Sequence, residues 1–220
     1  MWVVVALVLA IGGCGRVSFD TADASGPGSG TDGAVVDASC LTDDLTSTAG
    51  WTQLVGAWVA TPGEGPDGSP ALTTTTINEH VITHGSISGV STARIDVDFR
   101  LEAINGDFNV MFMKTFSGFS NATGYEGGLF IAGGDTLSDR INLWTNGADT
   151  ELAARPASVV QDQWHHAMVE RRADGAMRVE LDGALVVESQ PDTTHAPPFD
   201  LMLRVYSRGA LDNVRVDCTH

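Results

Sequence analysis

Apolar and polar residues alternate along several stretches of the chain after position 40. In the clearest of them, 94–101 (RIDVDFRL), every second residue is apolar: Ile95, Val97, Phe99 and Leu101. The same period of two recurs over 177–182, 201–206 and 214–217. This period is typical of a strand with one side in a core and the other side available. Asn-Gly and Asp-Gly pairs, which tolerate the positive φ of tight hairpins, stand at 105–106, 146–147, 174–175 and 182–183.

This pattern predicts many short strands and almost no helix. The one stretch with helical leanings, 151–163, is interrupted by Pro156. A chain of 220 residues with 25 glycines and 43% hydrophobic residues has the length of one domain and the composition of a turn-rich β protein. We therefore expect residues 40–220 to form an all-β domain of two antiparallel sheets, a sandwich or jelly roll.

The N-terminal residues 2–11 (WVVVALVLAI) are all apolar. A helix that crosses a membrane needs about 20 such residues, whereas the core of a signal peptide has about 7–15. The run leads into Ile11-Gly12-Gly13-Cys14, which resembles the lipobox of bacterial lipoproteins, although no Lys or Arg precedes the run. The alternative is a buried strand or helix that happens to end in cysteine.

The lipobox resemblance implies a signal peptide over 1–13, cleavage before Cys14 and acyl chains on Cys14. Several chains on one residue supply the multiple hydrophobic contacts that stable anchoring requires. The protein would then be exported and anchored through its N-terminal lipid to the outer membrane, facing the periplasm or the exterior.

Residues 14–39 are expected to be a lipidated, flexible linker. Its stretch 21–39 (TADASGPGSGTDGAVVDAS) has no aromatic residue and little hydrophobic bulk. Such a segment cannot bury enough apolar surface to offset the entropy lost on ordering, so we expect a disordered tether.

Two further cysteines, Cys40 and Cys218, flank the expected domain. With Cys14 committed to lipid, an even number remains in an exported chain, which favours a disulfide between them. The alternative is a pair of free, buried thiols.

The segment 164–187 (WHHAMVERRADGAMRVELDGALVV) resembles a hairpin of laminin-G-like domains, members of the concanavalin A-like lectin and glucanase superfamily. The closing stretch 210–217 (ALDNVRVD) resembles the last strand of many bacterial members. The resemblance implies a concanavalin A-like jelly roll over 40–220 with its termini side by side, which agrees with a Cys40–Cys218 disulfide.

Because this superfamily includes β-glucanases, catalysis needs consideration. Their catalytic strand resembles Glu-x-Asp-x-x-Glu, and the sequence contains no such hexapeptide. The nearest acidic strand is Asp96-Val97-Asp98, where Arg94 and Arg100 share the carboxylates' face and would lower their pKa values, contrary to what a proton donor needs. We therefore expect no enzyme, with a divergent glycoside hydrolase as an alternative.

Charge and histidine placement exclude other classes. The formal net charge of −16 argues against nucleic acid, because phosphate binding needs clustered cations. His165 and His166 point to opposite faces of one strand and cannot chelate zinc together. Some laminin-G-like domains hold a structural calcium ion, for which Asp212 is a candidate, although Asp212 could equally cap a turn. No other cofactor is expected.

The segment 140–144 (RINLW) is the best candidate for ligand binding. If Ile141 and Leu143 face the core, Arg140, Asn142 and Trp144 share the outer face. An aromatic plate beside planar hydrogen-bonding groups suits a sugar. Tyr125, in a Gly-rich stretch, is expected to supply a second plate, whereas Trp51, Trp58 and Trp164 are assigned to the core. The alternative is that Trp144 faces inward.

Together these observations predict a non-catalytic binding module whose ligand is a carbohydrate. A protein–protein interaction or adhesion module that uses a surface protein as its partner on the same face is the main alternative.

Overall fold

The structure is a computed structural model that describes residues 39–132 and 138–220. The predicted signal peptide, Cys14 and almost all of the tether lie outside these residues. Two short 3-10 turns, Gly85–Ile87 and Phe119–Asn121, accompany the strands. The strands in the described part are β1 (Ser39–Asp43), β2 (Trp51–Val55), β3 (Val59–Thr61), β4 (Ala71–Thr74), β5 (Glu79–His84), β6 (Thr92–Leu101), β7 (Asp107–Thr115), β8 (Thr123–Phe130), β9 (Ser138–Thr145), β10 (Ala148–Pro156), β11 (Trp164–Arg171), β12 (Met177–Leu181), β13 (Ala184–Glu188), β14 (Asp200–Tyr206) and β15 (Gly209–Thr219).

These strands form two antiparallel sheets packed face to face. The eight-stranded sheet has the order β13-β12-β11-β6-β15-β4-β3, with β1 also paired to β15. The seven-stranded sheet has the order β10-β9-β8-β7-β14-β5-β2. The predicted all-β jelly-roll sandwich is thereby confirmed. Across the described residues, no helix is long and apolar enough to span a membrane.

Alternation in the sequence becomes alternation in burial. In β6, Ile95, Val97, Phe99 and Leu101 are buried, and the residues between them are half-buried. Phe99 stacks on Phe108 of the opposite sheet with ring centres 4.8 Å apart. The core therefore lies between the sheets, as a period of two requires.

Tight hairpins form at two of the predicted pairs. Asn146 and Gly147 have φ of 52° and 82°, and Asp182 and Gly183 have φ of 51° and 78°. Positive φ at both central residues matches the twist of the flanking strands. The stretch with helical leanings instead starts inside β10, which ends at Pro156 on an edge of the sheet, where a missing N–H costs little.

Cys40 and Cys218 form the predicted disulfide, with Cα atoms 5.9 Å apart and a sequence separation of 178. Strand β1 pairs with the second half of β15, which brings the two ends of the domain together. The sandwich is thus closed covalently where its chain begins and ends.

Two of the three tryptophans assigned to the core are buried there, namely Trp51 and Trp58. The assignment of Trp164 is wrong. Trp164 has the outward parity of the exposed His166, and the Arg100 guanidinium lies 5.4 Å from its ring centre on the outer face of the eight-stranded sheet.

Candidate functional site

Strand β9 places three polar or aromatic side chains on the outer face of the seven-stranded sheet. Ile141 is buried in the core and Leu143 packs against it, so Arg140, Asn142 and Trp144 point away from the core. Their role in ligand binding stays a prediction. Their surroundings determine what they can do.

Tyr125 lies elsewhere, which corrects the expectation of a second plate beside Trp144. It pairs with Leu143 and Phe112 on the neighbouring strands and, like them, faces the core. Its exposed fraction is 0%. Because Tyr125 has the opposite parity to Trp144 across the pair, the two rings lie on opposite faces of the sheet.

The β7–β8 connection folds back over the outer face. Phe116 and Phe119 from this loop pack on a second apolar cluster, separate from the main core, together with Trp144. The buried members of that cluster are Val81, Met111, Met113, Ala122 and Met202. A sheet face that would otherwise be open is therefore partly covered by the chain's own loop.

Phe116, Phe119 and Trp144 form what we call the aromatic ledge. The ring centres of Phe116 and Phe119 are 5.2 Å apart, and those of Phe119 and Trp144 are 6.0 Å apart. All three side chains are half-buried. A groove of about 270 Å³, which Phe116 and Met202 help to line, adjoins one end of the ledge.

A charged cluster lies beneath Phe119. The Arg204 guanidinium, 5.1 Å from the Phe119 ring centre, makes two hydrogen bonds to Glu79, of 2.6 and 2.9 Å. Its Nη1 lies 3.1 Å from Asp107 and 3.0 Å from Glu126. The other Glu126 oxygen accepts from the indole N–H of Trp144 at 2.6 Å. One cation thus joins three carboxylates to the aromatic ledge.

Burial sets the protonation of this cluster. The pKa of Asp107 is raised to about 6, and burial is the largest cause. The charges of Glu126 and Glu79 add to this rise, and the charge of Arg204 opposes it. Burial also disfavours the Arg204 cation, but Glu79, Asp107 and Glu126 outweigh it and raise the pKa of Arg204. Arg204 is therefore cationic, and Asp107 takes up a proton in mildly acidic solution.

Asn142 is buried with neither side-chain oxygen nor nitrogen hydrogen bonded to any described residue. Asn109 is similar at its oxygen, but its nitrogen donates to Asp107 at 2.6 Å. Arg140, further along the face, has its guanidinium 4.8 Å from the ring centre of Phe130. Buried polar groups are normally paired, so the unpaired Asn142 amide is an exception. It has unused hydrogen-bonding capacity next to Trp144.

The acidic strand on the other sheet holds a histidine between its carboxylates. His166 lies 3.4 Å from Asp96 and 2.8 Å from Asp98. Its hydrogen bonds to these carboxylates raise the pKa of His166 to about 9. Partial burial alone would raise the pKa of Asp96, but hydrogen bonds from His166 and Arg94 outweigh it and lower that pKa to about 2. A carboxyl group with so low a pKa is a poor proton donor.

Asp212, the calcium candidate, is buried and accepts hydrogen bonds from the Ser69 hydroxyl at 3.1 Å and the Asn213 N–H at 2.9 Å. Burial raises its pKa, which those two bonds oppose. Within the described ranges, the one group of three metal-ligand atoms lying within 4.8 Å of one another is Cys40, Cys218 and His220. Its two sulfurs are already bonded to each other. Calcium at Asp212 stays a prediction.

Sequence reasoning missed Phe116 and Phe119, although the pair Phe116-Ser-Gly-Phe119 in a connection was a usable signal. Large aromatic residues in a loop need something to pack on. It also missed Arg204 and Glu126. Arg204 was visible as an outward residue of an alternating strand, but nothing in the sequence showed that its partners come from β5, β7 and β8.

No protein-family model matches the sequence, and no curated protein matches it. Solved structures match the fold. The carbohydrate binding module CBM66 from Bacillus subtilis has a TM-score of 0.58 at 18% identity, over 76% of this chain and 95% of the module. The potassium-bound carbohydrate recognition domain of Emp46p, which also has a metal-free form, gives 0.59 at 10% identity, over 80% of this chain and 92% of that domain. The Crh5 transglycosylase in complex with NAG gives a TM-score of 0.54 at 15% identity, over 80% of this chain and 83% of the transglycosylase chain.

These identities are low, so the likeness concerns the fold and fits the concanavalin A-like architecture expected from the sequence. The chain is a jelly-roll sandwich similar to carbohydrate-binding domains, one of which is described in both potassium-bound and metal-free forms.

Proposed function

We propose that this domain is a non-catalytic carbohydrate-binding module that holds its ligand at the aromatic ledge. One observation carries the proposal: the half-buried Trp144 ring lies beside Asn142, a buried amide whose polar atoms have no partner in the described structure. The similarity in fold to carbohydrate-binding domains supports it.

The chemistry of the ledge suits a neutral sugar. Aromatic rings cover the apolar C–H face of a pyranose, and an amide can donate to one hydroxyl and accept from another. The net charge of −16 favours neutral ligands over anions at an open surface. Trp144 is oriented by its hydrogen bond to Glu126, which reduces the conformational freedom lost on binding.

Binding can be tested by screening a glycan array and then titrating the best ligand into variants. Trp144→Ala should weaken binding by about tenfold or more, because stacking anchors are typically worth roughly 1–3 kcal/mol. Trp164→Ala is the matched control, since Trp164 is also half-buried but lies on the other sheet. Equal affinity of both variants and wild type would refute the proposed site. Absence of any glycan ligand would refute the function and favour a protein-binding module.

A second candidate, glycoside hydrolysis, has one observation in its favour. Asp107 and Glu126 both contact Nη1 of Arg204, so their oxygens are at most about 6 Å apart, and the raised pKa of Asp107 suits a proton donor. Against it, both carboxylates are paired with Arg204, and Glu126 also accepts from the Trp144 indole N–H, so neither is free to act on a substrate. We expect no hydrolysis of β-glucans; activity that Asp107→Asn abolishes would establish the hydrolase instead.

We also propose that the protein is exported and anchored to the outer membrane through lipid on Cys14, as the lipobox resemblance implies. Cys14→Ser should be found unlipidated in the soluble fraction, whereas wild type should fractionate with membranes. Membrane association of Cys14→Ser equal to that of wild type would contradict the anchor.

A structural calcium ion at Asp212 is the remaining proposal for this fold. Calcium should then raise the melting temperature of wild type but not that of Asp212→Asn, because a bound ion stabilises only the folded state. A calcium effect of equal size in both proteins would place the ion elsewhere.

A further inference from the structure

A buried arginine without a counterion stands at the end of β11. Arg171 shares the inward parity of Ala167 and Val169, and 3% of its surface is exposed. Its Nη2 donates to the backbone oxygen of Asp192 at 3.3 Å. Neither Nε nor Nη1 has an acceptor, and no carboxylate lies within 4 Å of the guanidinium, among residues 39–132 and 138–220. Two thirds of its donor nitrogens are therefore unused.

This arrangement is unusual beside Arg204, the half-buried arginine of β14. Arg204 is surrounded by three carboxylates, as buried cations normally are. The chain carries 28 acidic residues against 12 basic ones, so acidic partners are plentiful. Arg171 is instead held between two aromatic rings, 4.2 Å from the ring centre of Tyr125 and 4.9 Å from that of Phe199. These rings stabilise the cation and fix its plane but accept none of its in-plane hydrogen bonds.

The carboxylate of Asp192, the residue whose backbone Arg171 binds, is engaged elsewhere. The Asp192 carboxylate accepts from the Tyr125 hydroxyl at 2.7 Å and from the Thr194 N–H at 2.9 Å. Burial lowers the pKa of Arg171, which Tyr125, Asp192 and Asp174 oppose by their charges. An arginine stays cationic at neutral pH despite such a shift. The site thus presents a fixed positive charge.

Arg171 borders two cavities of about 440 and 360 Å³, both also lined by Thr92, Arg172 and Ala173. These volumes lie in the range of about 300–1,000 Å³ that is typical of small-molecule sites. The larger cavity is also lined by Glu170 and Asp217, whose carboxylates repel an anion, whereas the smaller one adds the hydroxyl-bearing residues Thr193 and Thr219. A cation with free donors, a cavity and several hydroxyl groups therefore meet at one end of the sandwich.

We propose that the smaller cavity binds the carboxylate of a small, hydroxyl-rich ligand, a sugar acid, through Arg171. A planar guanidinium binds a carboxylate through two parallel hydrogen bonds. In Arg171 these can come from Nη1 and from the second hydrogen of Nη2, because the Asp192 carbonyl takes only one of the two Nη2 hydrogens. The threonine hydroxyls provide partners for the hydroxyls of a sugar ring. The site uses no residue of the aromatic ledge, so it does not depend on the function proposed above.

The test is calorimetric titration of the purified protein with glucuronate, using glucose as its neutral counterpart and inorganic sulfate as an anion without a ring. We expect saturable binding of glucuronate and none of glucose. Failure of glucuronate to bind wild type would overturn the proposal. Binding of sulfate in place of glucuronate would overturn the assignment to a sugar acid.

Variants separate the site from general charge effects. Arg171→Met keeps the length of the side chain and should weaken glucuronate binding roughly 10–100-fold, the usual loss for hydrogen bonds to a charged group. Arg171→Lys retains the charge without the planar fork and should bind glucuronate at intermediate strength. It replaces the Met variant as the test if Arg171→Met does not fold. Arg100→Met is the matched control, because Arg100 also lies over an aromatic ring but is paired with Glu64 and Glu102. Unchanged affinity in Arg171→Met, or an equal loss in Arg100→Met, would overturn the proposal.

Discussion

At the scale of single residues, the outer face of the seven-stranded sheet differs from a simple solvated face. Asn142 is buried without partners, Trp144 is half-buried, and Asp107 carries a raised pKa. The buried, unpaired amide of Asn142 costs stability in the absence of a ligand, because buried polar groups lose hydration. Such unpaired groups are expected where a protein retains polarity for binding rather than for packing.

Replacing the unpaired amide should therefore stabilise the domain. Asn142→Leu should raise the free energy of unfolding by about 1–3 kcal/mol, since a buried polar group without partners is removed, while glycan binding is lost. Asn109→Leu is the control, because it breaks the hydrogen bond to Asp107 and should destabilise. Urea denaturation measures both changes. Destabilisation by Asn142→Leu would indicate that the amide is satisfied in solution.

Asp107 should make stability depend on pH. Its pKa rises from 3.8 to about 6 on folding, so its favourable contribution is complete below pH 4 and is lost as the pH rises through 6. Asp107→Asn cannot titrate. Its stability relative to wild type should therefore increase between pH 4 and pH 7, by on the order of 2 kcal/mol. Unfolding curves that differ by a constant amount across this range would contradict the raised pKa.

At the scale of elements, alternation predicted strands well where one face is apolar and the other polar, as in β6. It was uninformative for β8 (TGYEGGLF), where glycines leave no apolar rhythm, and this is why Tyr125 was assigned to the wrong face. The helical leaning of the sequence 151–163 is misleading for a related reason. Strand β10 is an edge strand, and its residues are mostly exposed or half-buried, so they lack a clear period of two.

The β9–β10 hairpin supports the loop that carries Phe119. A Cβ added at Gly147 would lie 2.2 Å from the Ser120 oxygen, whereas one at Gly183 would meet nothing within 4 Å. Both glycines have positive φ, so Gly183→Ala should cost only the backbone strain of about 1–2 kcal/mol. Gly147→Ala should cost clearly more and should shift the loop. Equal unfolding free energies for the two variants would show that the loop does not rest on this hairpin.

At the scale of the whole molecule, the sequence predicted the class of fold, the two-sheet arrangement and the disulfide. It could not predict which loop covers a sheet face, because that depends on contacts between residues distant in the chain, such as Phe119 with Arg204. Arg171 was visible as a charged residue with inward parity in β11, but its lack of a partner is apparent only in three dimensions. The local sequence pattern was thus enough to predict the scaffold. The candidate sites depend on long-range packing, which that pattern does not show.

The disulfide should contribute much of the stability of the domain. Joining residues 178 positions apart restricts the unfolded chain and is worth up to about 5 kcal/mol in the chain-entropy model. The double variant Cys40→Ala/Cys218→Ala should therefore melt well below oxidised wild type and close to wild type treated with a reducing agent. Indistinguishable melting of oxidised wild type and the double variant would mean that the bond adds nothing.

The central claim, that a carbohydrate binds at the aromatic ledge, is tested most directly by the NMR signal of the Trp144 indole N–H. This proton donates to Glu126 and lies on the face where the ligand is expected. Titration with the glycan identified by array screening should shift or broaden this signal, assigned through Trp144→Phe, while the indole signal of Trp164 stays unchanged. Saturable binding of the glycan with no change at Trp144 would contradict the account.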